Sequence, residues 1–526
     1  MPIKIAFVSP HCLLDYTNGA ATATRDGLRV LVEQGFECQA FCGTRLDEPQ
    51  EGLLQESLFR RGVRYEVHNA KIGPHQGRLL FTVDGNLPVT VFENVSTRGG
   101  WLNVQEAEAF LTGVDIFLRK NRPDVVVTYG GDPVSIAAQR LAKRLGITIV
   151  FELHNFAYSD RSAFEAVDYV TVPSEFSRQY YRQRLGLDCH VLPNIVNWKA
   201  AEVGGERGGK GEGEKGGKSP HPNPLPEGEG TMSPDPLPEG EGTMSPNHLP
   251  EGEGTTGGRK SDLTADLRPQ TSDFVTFINP HVVKGVYVFA RIARELARRR
   301  PDIPILVTQG RSRADALNVP ELGLRPHLAG PLPAGPAAKP PCDGRNIFMM
   351  PFTPDPRAFY PTVYSMTRLL LMPSLWNESF GLVAAEAMLN GIPVLASNRG
   401  ALTETVGGSP HPNPLPEGEG TKGILPEGER TEGPLPAAGG FLFDIPARYT
   451  PETREVPTAQ EVEPWVETII RLWDDAAEYV RWSRAARERA QLWHPDRLAP
   501  IYRDFFSRTT HQPGPPLVPQ GQSGVR

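Results

Sequence analysis

The sequence predicts an α/β protein built from two doubly wound domains that face each other across a cleft. Three observations support this fold class. Short apolar runs alternate with helical segments along most of the chain, and this alternation favours parallel sheets. The runs are continuously apolar, as in strands that helices cover on both faces. The pattern also starts twice, once at the amino terminus and again near residue 274.

The first domain is predicted to begin with a strand at Ile3–Val8, a loop that contains Gly19 and a helix that ends near Gly35. Its further strands are predicted at Glu37–Phe41, Pro123–Thr128, Ile147–Phe151, Tyr169–Val172 and His190–Asn194. His154 follows one of these strands, at the edge of the sheet where ligands bind in doubly wound folds.

The second domain is predicted to open with a strand at Phe274–Ile278, followed by Lys284-Gly285. A helix comes next and ends before Pro301, and it carries Phe289, Ile292, Ala293 and Leu296 on one face. The remaining strands are predicted at Ile305–Thr308, Leu369–Met372 and Val394–Ala396.

Composition excludes several classes of protein. The net charge of −7 argues against a nucleic-acid-binding protein. The five cysteines are scattered and odd in number, which favours a reducing compartment without disulfides. No apolar run reaches the roughly 18 residues of a transmembrane helix. We therefore expect a cytoplasmic protein without a transmembrane segment, which leaves peripheral membrane contact open.

Two tracts rich in proline, glycine and glutamate interrupt the pattern. Residues 219–231 recur without a change at 409–421, and degenerate copies follow both. These tracts hold almost no branched or aromatic side chains, so they cannot bury enough apolar surface to order themselves. We interpret 204–258 and 409–436 as disordered insertions in surface loops, where added length costs little loop-closure entropy.

These features predict five segments. They are a first α/β domain at 1–200, a low-complexity insertion and linker at 201–271, a second α/β domain at 272–490, a helix at 491–510 that packs back on the first domain, and a disordered tail at 511–526.

Glu386 is the only charged residue between Gly381 and Gly391 in a stretch typical of a buried helix. On a helix it would lie beside Leu382 and Leu389, so its carboxylate needs a hydrogen-bonding partner. No cation within the helix supplies one. The partner could be an arginine from elsewhere in the chain, but the hydroxyl groups of a ligand are the simpler candidate.

The stretch around Glu378 and Glu386 resembles the retaining glycosyltransferases of family 4, which have the GT-B fold. It reads Pro-Ser-x-x-x-Glu-Ser-Phe-Gly-x-x-x-x-Glu-Ala-Met-x-x-Gly-x-Pro-Val from residue 373. Lys284-Gly285, the Gly19 loop, His154 and Val191-Leu-Pro-Asn194 add weaker support. The resemblance covers nearly the whole chain except the two insertions and the tail.

The resemblance implies a metal-independent retaining glycosyltransferase of the hexosyltransferase type, without a cofactor. Its partners would be a nucleotide-sugar donor, bound by the domain at 272–490, and a hydroxyl acceptor, bound by the domain at 1–200. The acceptor would be a glycan, lipid or small molecule chosen by loops within residues 45–100. Glu378, His154 and Lys284 are the candidate catalytic residues. The candidate donor-binding residues are Gly19, Asn279, Lys284, Ser379, Phe380, Gly381, Leu382 and Glu386.

Physical arguments support several of these roles. If a helix opens at Leu382, the amides of Ser379 to Leu382 form its positive end, which suits a diphosphate. Lys284 lies at a predicted helix start, where the dipole disfavours a cation unless an anion is held nearby. The absence of an Asp-x-Asp pair argues against the metal-dependent glycosyltransferase fold.

The sequence departs from the family pattern before Lys284. The family usually carries an arginine a few residues upstream, whereas this stretch reads Phe277-Ile-Asn-Pro-His-Val-Val-Lys284. Asn279 could donate a hydrogen bond there, and Arg399 is a candidate replacement for the charge. Two alternatives therefore stay open: an epimerase or phosphorylase with the same fold, and a non-catalytic nucleotide-sugar-binding protein.

Overall fold

A computed structural model describes residues 2–46, 54–94, 101–196, 274–309, 317, 324, 328–331, 346–350, 362–407 and 435–510. The predicted insertion at 204–258, residues 409–434 of the second insertion and the predicted tail at 511–526 lie outside the described residues. The predictions of disorder made for them therefore stay predictions.

The first sheet and its helices come from the amino-terminal part of the chain. In order they are β1 (Lys4–His11), α1 (Gly19–Glu33), β2 (Glu37–Arg45), α2 (Leu54–Arg60), β3 (Tyr65–Ile72), β4 (His75–Asp84), β5 (Leu87–Glu93), α3 (Val104–Asn121), β6 (Val125–Thr128), α4 (Pro133–Arg144), β7 (Thr148–Glu152), β8 (Tyr169–Val172), α5 (Glu175–Leu185) and β9 (Cys189–Val191).

The strand order of this sheet is β3-β4-β5-β2-β1-β6-β7-β8-β9. The strands from β5 through β2 to β9 pair in parallel, but β3 with β4 and β4 with β5 are antiparallel. The sequence pattern predicted the parallel strands but not the antiparallel strands β3 and β4, which lie within residues 45–100, where only loops were expected. Strands β3 and β4 are joined by the short turn at Gly73, and their mixed sequences lack the continuous apolar runs used to find buried strands.

The second sheet follows from residue 274. Its elements are β10 (Phe274–Ile278), α6 (Val286–Arg299), β11 (Ile305–Thr308), β12 (Leu328–Pro331), β13 (Ile347–Met350), β14 (Thr367–Met372), α7 (Leu382–Leu389), β15 (Val394–Ser397), α8 (Leu402–Thr405), β16 (Leu435–Ala437), β17 (Gly440–Phe443), α9 (Ala459–Asp474), α10 (Ala476–Ala490) and α11 (Pro495–Thr509).

The order of the second sheet is β12-β13-β11-β10-β14-β15-β17-β16. All described pairs are parallel except β16 with β17. Strand β16 starts at Leu435, inside the stretch predicted as an insertion up to residue 436. The predicted fold class, two doubly wound α/β domains, is confirmed.

The carboxyl-terminal helices divide between the two sheets. Helix α9 packs on α6 and helix α10 packs on α7, whereas α11 packs on α1 of the first sheet. The Tyr502 hydroxyl of α11 donates a hydrogen bond of 3.0 Å to the carbonyl of Pro193. Ile5, Phe7, Ala384 and Phe506 belong to one buried apolar cluster, so both sheets and α11 share a core.

Candidate active site

The candidate site is a cleft of about 600 Å³ at the carboxyl ends of the central strands of both sheets. The first turns of α1 and α7 meet there, because a Cβ built on Gly19 would lie 3.7 Å from Leu382 Cδ1, an ordinary contact. Every site residue predicted from the sequence lines this cleft, which contains Gly19, His154, Asn279, Lys284, Glu378, Ser379, Phe380, Gly381, Leu382 and Glu386.

Helix α7 begins at Leu382, as the sequence predicted. Gly381 precedes it with a φ of 88°, and its carbonyl accepts the amides of Ala384 and Ala385. The amides of Leu382 and Val383 are the first of the helix and lack an intrahelical acceptor, and both residues line the cleft. This end of α7 therefore presents the positive pole of a helix dipole to the cleft.

Lys284 is the last residue of a short 3-10 turn at Val282–Lys284, just before α6. Gly285 follows with a φ of 77°, and a Cβ there would lie 1.8 Å from the carbonyl oxygen of Pro373. The carbonyl of Val283 accepts the amides of Leu375 and Trp376 at 2.9 and 3.0 Å. The turn is therefore fixed against the loop that leads to Glu378, and only glycine fits at residue 285.

Glu378 is the anionic partner of Lys284, whose ammonium group contacts Oε1 of the carboxylate. The Ser374 hydroxyl donates to the same oxygen at 3.1 Å, and the Glu378 carbonyl accepts the amide of Ala401 at 2.8 Å. The sequence predicted an anion beside Lys284. A carboxylate of the same domain, that of Glu378, supplies this anion.

Glu386 is buried in α7, and its Oε2 accepts a hydrogen bond of 2.7 Å from the Tyr364 hydroxyl. The inference that a ligand hydroxyl would partner this carboxylate was therefore incomplete, because Tyr364 supplies one hydroxyl from within the chain. Burial raises the pKa of Glu386 to about 7, with a smaller contribution from Asp26, although the bond from Tyr364 opposes the increase.

His154 lies just beyond β7, beside two residues that the sequence analysis did not single out. Its Nε2 is 3.3 Å from Glu152 Oε2 and 3.3 Å from Thr24 Oγ1, and the Thr24 hydroxyl donates to the same carboxylate oxygen. The Ser379 hydroxyl donates a hydrogen bond of 2.6 Å to the His154 carbonyl, and this bond joins the two domains. The sequence signal that could have identified Glu152 is a carboxylate at the end of a strand, two residues before a histidine.

Asn279 and Arg399 were considered as replacements for the family arginine. Asn279 has a φ of 62°, its amide donates to the Thr308 carbonyl, and the residue lines the cleft. The Arg399 guanidinium donates instead to the carbonyls of Leu375 and Tyr449 at 3.2 and 2.8 Å, so it fixes loops and is not a lining residue. Arg399 as a replacement was therefore a wrong prediction.

A polar cluster on the first domain also lines the cleft. The guanidinium of Arg45 lies over the ring of Trp101, with its carbon 3.0 Å from the ring centroid. Arg45 Nη1 is also 3.1 Å from His11 Nε2 and 3.5 Å from Asp132 Oδ2. Burial works against ionisation of Asp132, but hydrogen bonds from His11 and Ser135 lower its pKa to about 2. The Asp132-Pro133 pair, a helix-start signal, could have located this cluster.

The described part of the chain holds no group of three or more His, Cys, Asp and Glu side chains arranged to bind a metal ion. None of its helices is both long and apolar enough to cross a membrane.

Relatives of known sequence match parts of the chain. It is 37% identical over 150 residues to a D-inositol 3-phosphate glycosyltransferase of Rhodococcus opacus. The matched segment makes up 27% of this chain and 29% of that protein. It is 52% identical over 46 residues to an uncharacterized 41.2 kDa protein in the cps region of Klebsiella pneumoniae, 9% of this chain and 13% of that protein. The chain thus spans less than a third of the length of these relatives.

Solved structures resemble the fold over nearly the full length. The catalytic domain of starch synthase IV from Arabidopsis thaliana, bound to ADP and acarbose, has a TM-score of 0.56 at 12% identity and covers 97% of this chain and 100% of its own. Anabaena HepE in complex with UDP and glucose has a TM-score of 0.53 at 13% identity, covering 96% and 100%. Identities this low show a shared GT-B fold alone.

Two family models each match one segment of the chain. Residues 17–198 match the model described as Glycosyltransferase Family 4, and residues 344–408 match the model described as Glycosyl transferases group 1. The second range includes Glu378, Glu386 and the first turn of α7. Over these two ranges the chain is similar to the family 4 and group 1 glycosyltransferases.

Proposed function

We propose that this protein is a retaining, metal-independent glycosyltransferase that transfers a sugar, of the hexosyl type, from a nucleotide-diphosphate sugar to a hydroxyl acceptor. The observation that carries the proposal is one wall of the cleft. There the cation of Lys284, the first amides of α7 and the buried carboxylate of Glu386 face the same space. The lysine cation and the helix amides match a diphosphate, and the Glu386 carboxylate matches the hydroxyl groups of a ribose.

The donor would lie along this wall. Its diphosphate would accept from the amides of Leu382 and Val383, where the helix dipole favours negative charge. Its ribose hydroxyls would donate to the Glu386 carboxylate. Lys284 would turn from Glu378 to the diphosphate, because both anions compete for one ammonium group. Glu378 would then be free to accept from a hydroxyl of the donor sugar.

Retention follows from attack on the face from which the diphosphate departs. The bond from the anomeric carbon to the donor phosphate oxygen breaks as the acceptor oxygen forms its bond to that carbon, and a phosphate oxygen takes the acceptor proton. Lys284 and the α7 amides stabilise the charge that develops on the departing diphosphate, which is the main role of the protein. Since these groups carry the charge, no metal ion is required in this proposal.

The solved relatives guide the choice of donors to test. Starch synthase IV was solved with ADP and Anabaena HepE with UDP or UDP-glucose, so UDP- and ADP-sugars are the first donors to try. The four described cysteines are all buried free thiols, which supports a reducing compartment such as the cytoplasm.

A thermal-shift screen against nucleotide sugars tests donor binding. A donor at about 100 times its Kd should add roughly 2.7 kcal/mol to the stability of the folded protein. Stabilisation by none of a broad donor panel would contradict the proposal.

Transfer is then measured with the donor that stabilises best, with and without EDTA, and the anomeric configuration of the product is read by NMR. We expect retention, no effect of EDTA and loss of transfer in Glu378→Ala. An inverted product or loss of transfer in EDTA would contradict the mechanism. Donor binding without turnover on any acceptor would support the non-catalytic alternative.

A further inference from the structure

We propose that Glu152 is a positioning residue that holds the His154 imidazole with its proton on Nε2 and leaves Nδ1 as the acceptor for a ligand hydroxyl. The inference rests on the proposed function, because it assigns His154 a definite hydrogen-bonding role toward a bound sugar. It starts from the three-residue contact among Thr24, Glu152 and His154, which joins α1 to the end of β7.

The position of Glu152 is fixed by the strand that carries it. It is the last residue of β7, it is 8% exposed, and its neighbours in the sheet are β6 and β8. The register places Glu152 opposite Thr171 of β8. A carboxylate this buried requires donors. Its Oε2 receives one from the Thr24 hydroxyl and has the imidazole nitrogen of His154 within 3.3 Å.

Proton counting assigns the tautomer. A carboxylate only accepts hydrogen bonds, and a threonine hydroxyl has one proton to donate. Thr24 donates that proton to Glu152, so its oxygen can only accept from His154. Both neighbours of the His154 Nε2 are therefore acceptors, and Nε2 must carry the proton. In the neutral ring Nδ1 is then an acceptor, as in any imidazole held through its other nitrogen.

The surroundings hold the ring in this orientation. The Tyr129 ring packs edge-on against His154 with the centroids 6.2 Å apart, and the His154 carbonyl accepts from the Ser379 hydroxyl of the second domain. Within the described residues, Nδ1 makes no hydrogen bond of its own, and His154 lines the cleft. We infer that Nδ1 accepts a proton from a hydroxyl of the donor sugar, so that His154 orients the sugar and does not protonate it.

The tautomer is measured directly by nitrogen NMR on the full-length protein with 15N-labelled histidine, and His154→Asn assigns the His154 signals. We expect a protonated Nε2 and an unprotonated Nδ1 in the wild type. In Glu152→Gln, whose amide can donate to Nε2, we expect signal from the opposite tautomer. A wild-type His154 protonated on Nδ1 alone, or a tautomer unchanged in Glu152→Gln, would overturn the inference.

Kinetics give the second readout. In Glu152→Gln we expect kcat to fall by roughly tenfold or more, as for other imidazoles held in the wrong tautomer, while the KM of the donor stays within about twofold. Glu165→Gln, which removes an exposed partner of Arg140, is the control and should leave both constants unchanged. An unchanged kcat in Glu152→Gln would overturn the role. If the wild type lacks transfer activity, the proposed function fails while the NMR result still tests the tautomer.

Discussion

At the scale of single residues, the ion pair between Lys284 and Glu378 occupies the space in which a donor diphosphate would bind. The ammonium and the carboxylate are 32% and 13% exposed, so water screens their interaction only partly. Because no family arginine precedes Lys284, this lysine is the cationic side chain that the second domain contributes among the described lining residues. Donor affinity should therefore depend strongly on it.

Lys284→Met should weaken donor binding by roughly tenfold to a hundredfold, the value of one charge-assisted hydrogen bond. The loss includes a second effect, because Glu378 would face the diphosphate without its cation. Isothermal titration calorimetry with the donor that stabilises the protein best measures the change in affinity. Lys143→Met, which removes an exposed partner of Asp168, is the matched control. Equal affinities in both variants would contradict a role for Lys284 in donor binding.

The raised pKa of Glu386 predicts how stability changes with pH. The folded protein binds a proton that the unfolded chain releases between about pH 4.5 and pH 7, so this residue's contribution to stability falls as pH rises through that window. The total fall is about 3 kcal/mol. Denaturant unfolding of the unliganded protein at several pH values, beside Glu386→Gln, isolates the contribution. Parallel stability curves for the two proteins would contradict the prediction.

At the scale of structural elements, the turn at Val282–Lys284 shows why a lysine is followed by glycine here. The pair looks like a binding motif, but its glycine has a structural reason, since the turn packs directly on the backbone of Pro373. The glycine would therefore serve donor binding only indirectly, by holding the turn that places Lys284 next to Glu378.

Gly285→Ala should lower the free energy of unfolding by several kcal/mol, because the added Cβ would overlap the Pro373 carbonyl oxygen and the backbone φ is positive. Gly35→Ala is the matched control. It has a φ of 89° but no atom within 4 Å of its Cβ, so it should cost only about 1 kcal/mol. Denaturant unfolding compares the stabilities of the two variants. Equal losses would mean that backbone strain, and not the overlap with Pro373, determines the loss of stability.

Helix α5 of the first domain is capped by a residue of the second. The Glu404 carboxylate accepts the amide of Glu175 at 2.9 Å and also that of Phe176. Burial raises the pKa of Glu404, while both amide bonds lower it. The carboxylate therefore satisfies the first turn of α5 and fastens the two domains together.

Glu404→Ala should cost about 1 to 2 kcal/mol of stability, as for loss of a helix cap, and should speed hydrogen exchange at the first amides of α5. Hydrogen exchange followed by mass spectrometry measures the local effect. Asp115→Asn, which breaks an exposed pair with Arg119, serves as the control. Unchanged exchange in α5 would show that the cap does not hold the helix.

At the scale of the whole molecule, one apolar cluster extends through the first sheet, helix α7 and helix α11. Helix α11 returns to the first domain so closely that a Cβ on Gly27 of α1 would lie 2.8 Å from the Tyr502 ring. The composition of the repeat tracts gives them little apolar surface to add to this core.

Deletion of 204–258 together with residues 409–434 should leave the melting temperature within about 2 °C and donor binding unchanged, because such loop length costs mainly closure entropy. Calorimetry and titration of the deletion variant against the full-length chain test this. A folded variant that no longer binds the donor would show that the tracts act in function.

Local pattern and composition were enough for much of the fold. The strands at Tyr169–Val172, Phe274–Ile278 and Ile305–Thr308 were predicted with the bounds that the structure gives them. Continuous apolar runs identify strands buried on both faces, since burial there depends little on distant neighbours. The antiparallel strands β3 and β4 were missed because half of their surface faces solvent and their pairing is decided by each other.

The sequence by itself also determined several of the residues that line the cleft, because the carboxyl ends of parallel strands collect ligand-binding residues at one edge. The partners of those side chains depended on the tertiary structure alone. Tyr364 beside Glu386, Glu378 beside Lys284 and Thr24 beside Glu152 are contacts between residues far apart in the chain or on different elements. Hydrogen bonds require atoms within about 3 Å, and only the packed fold brings such groups that close.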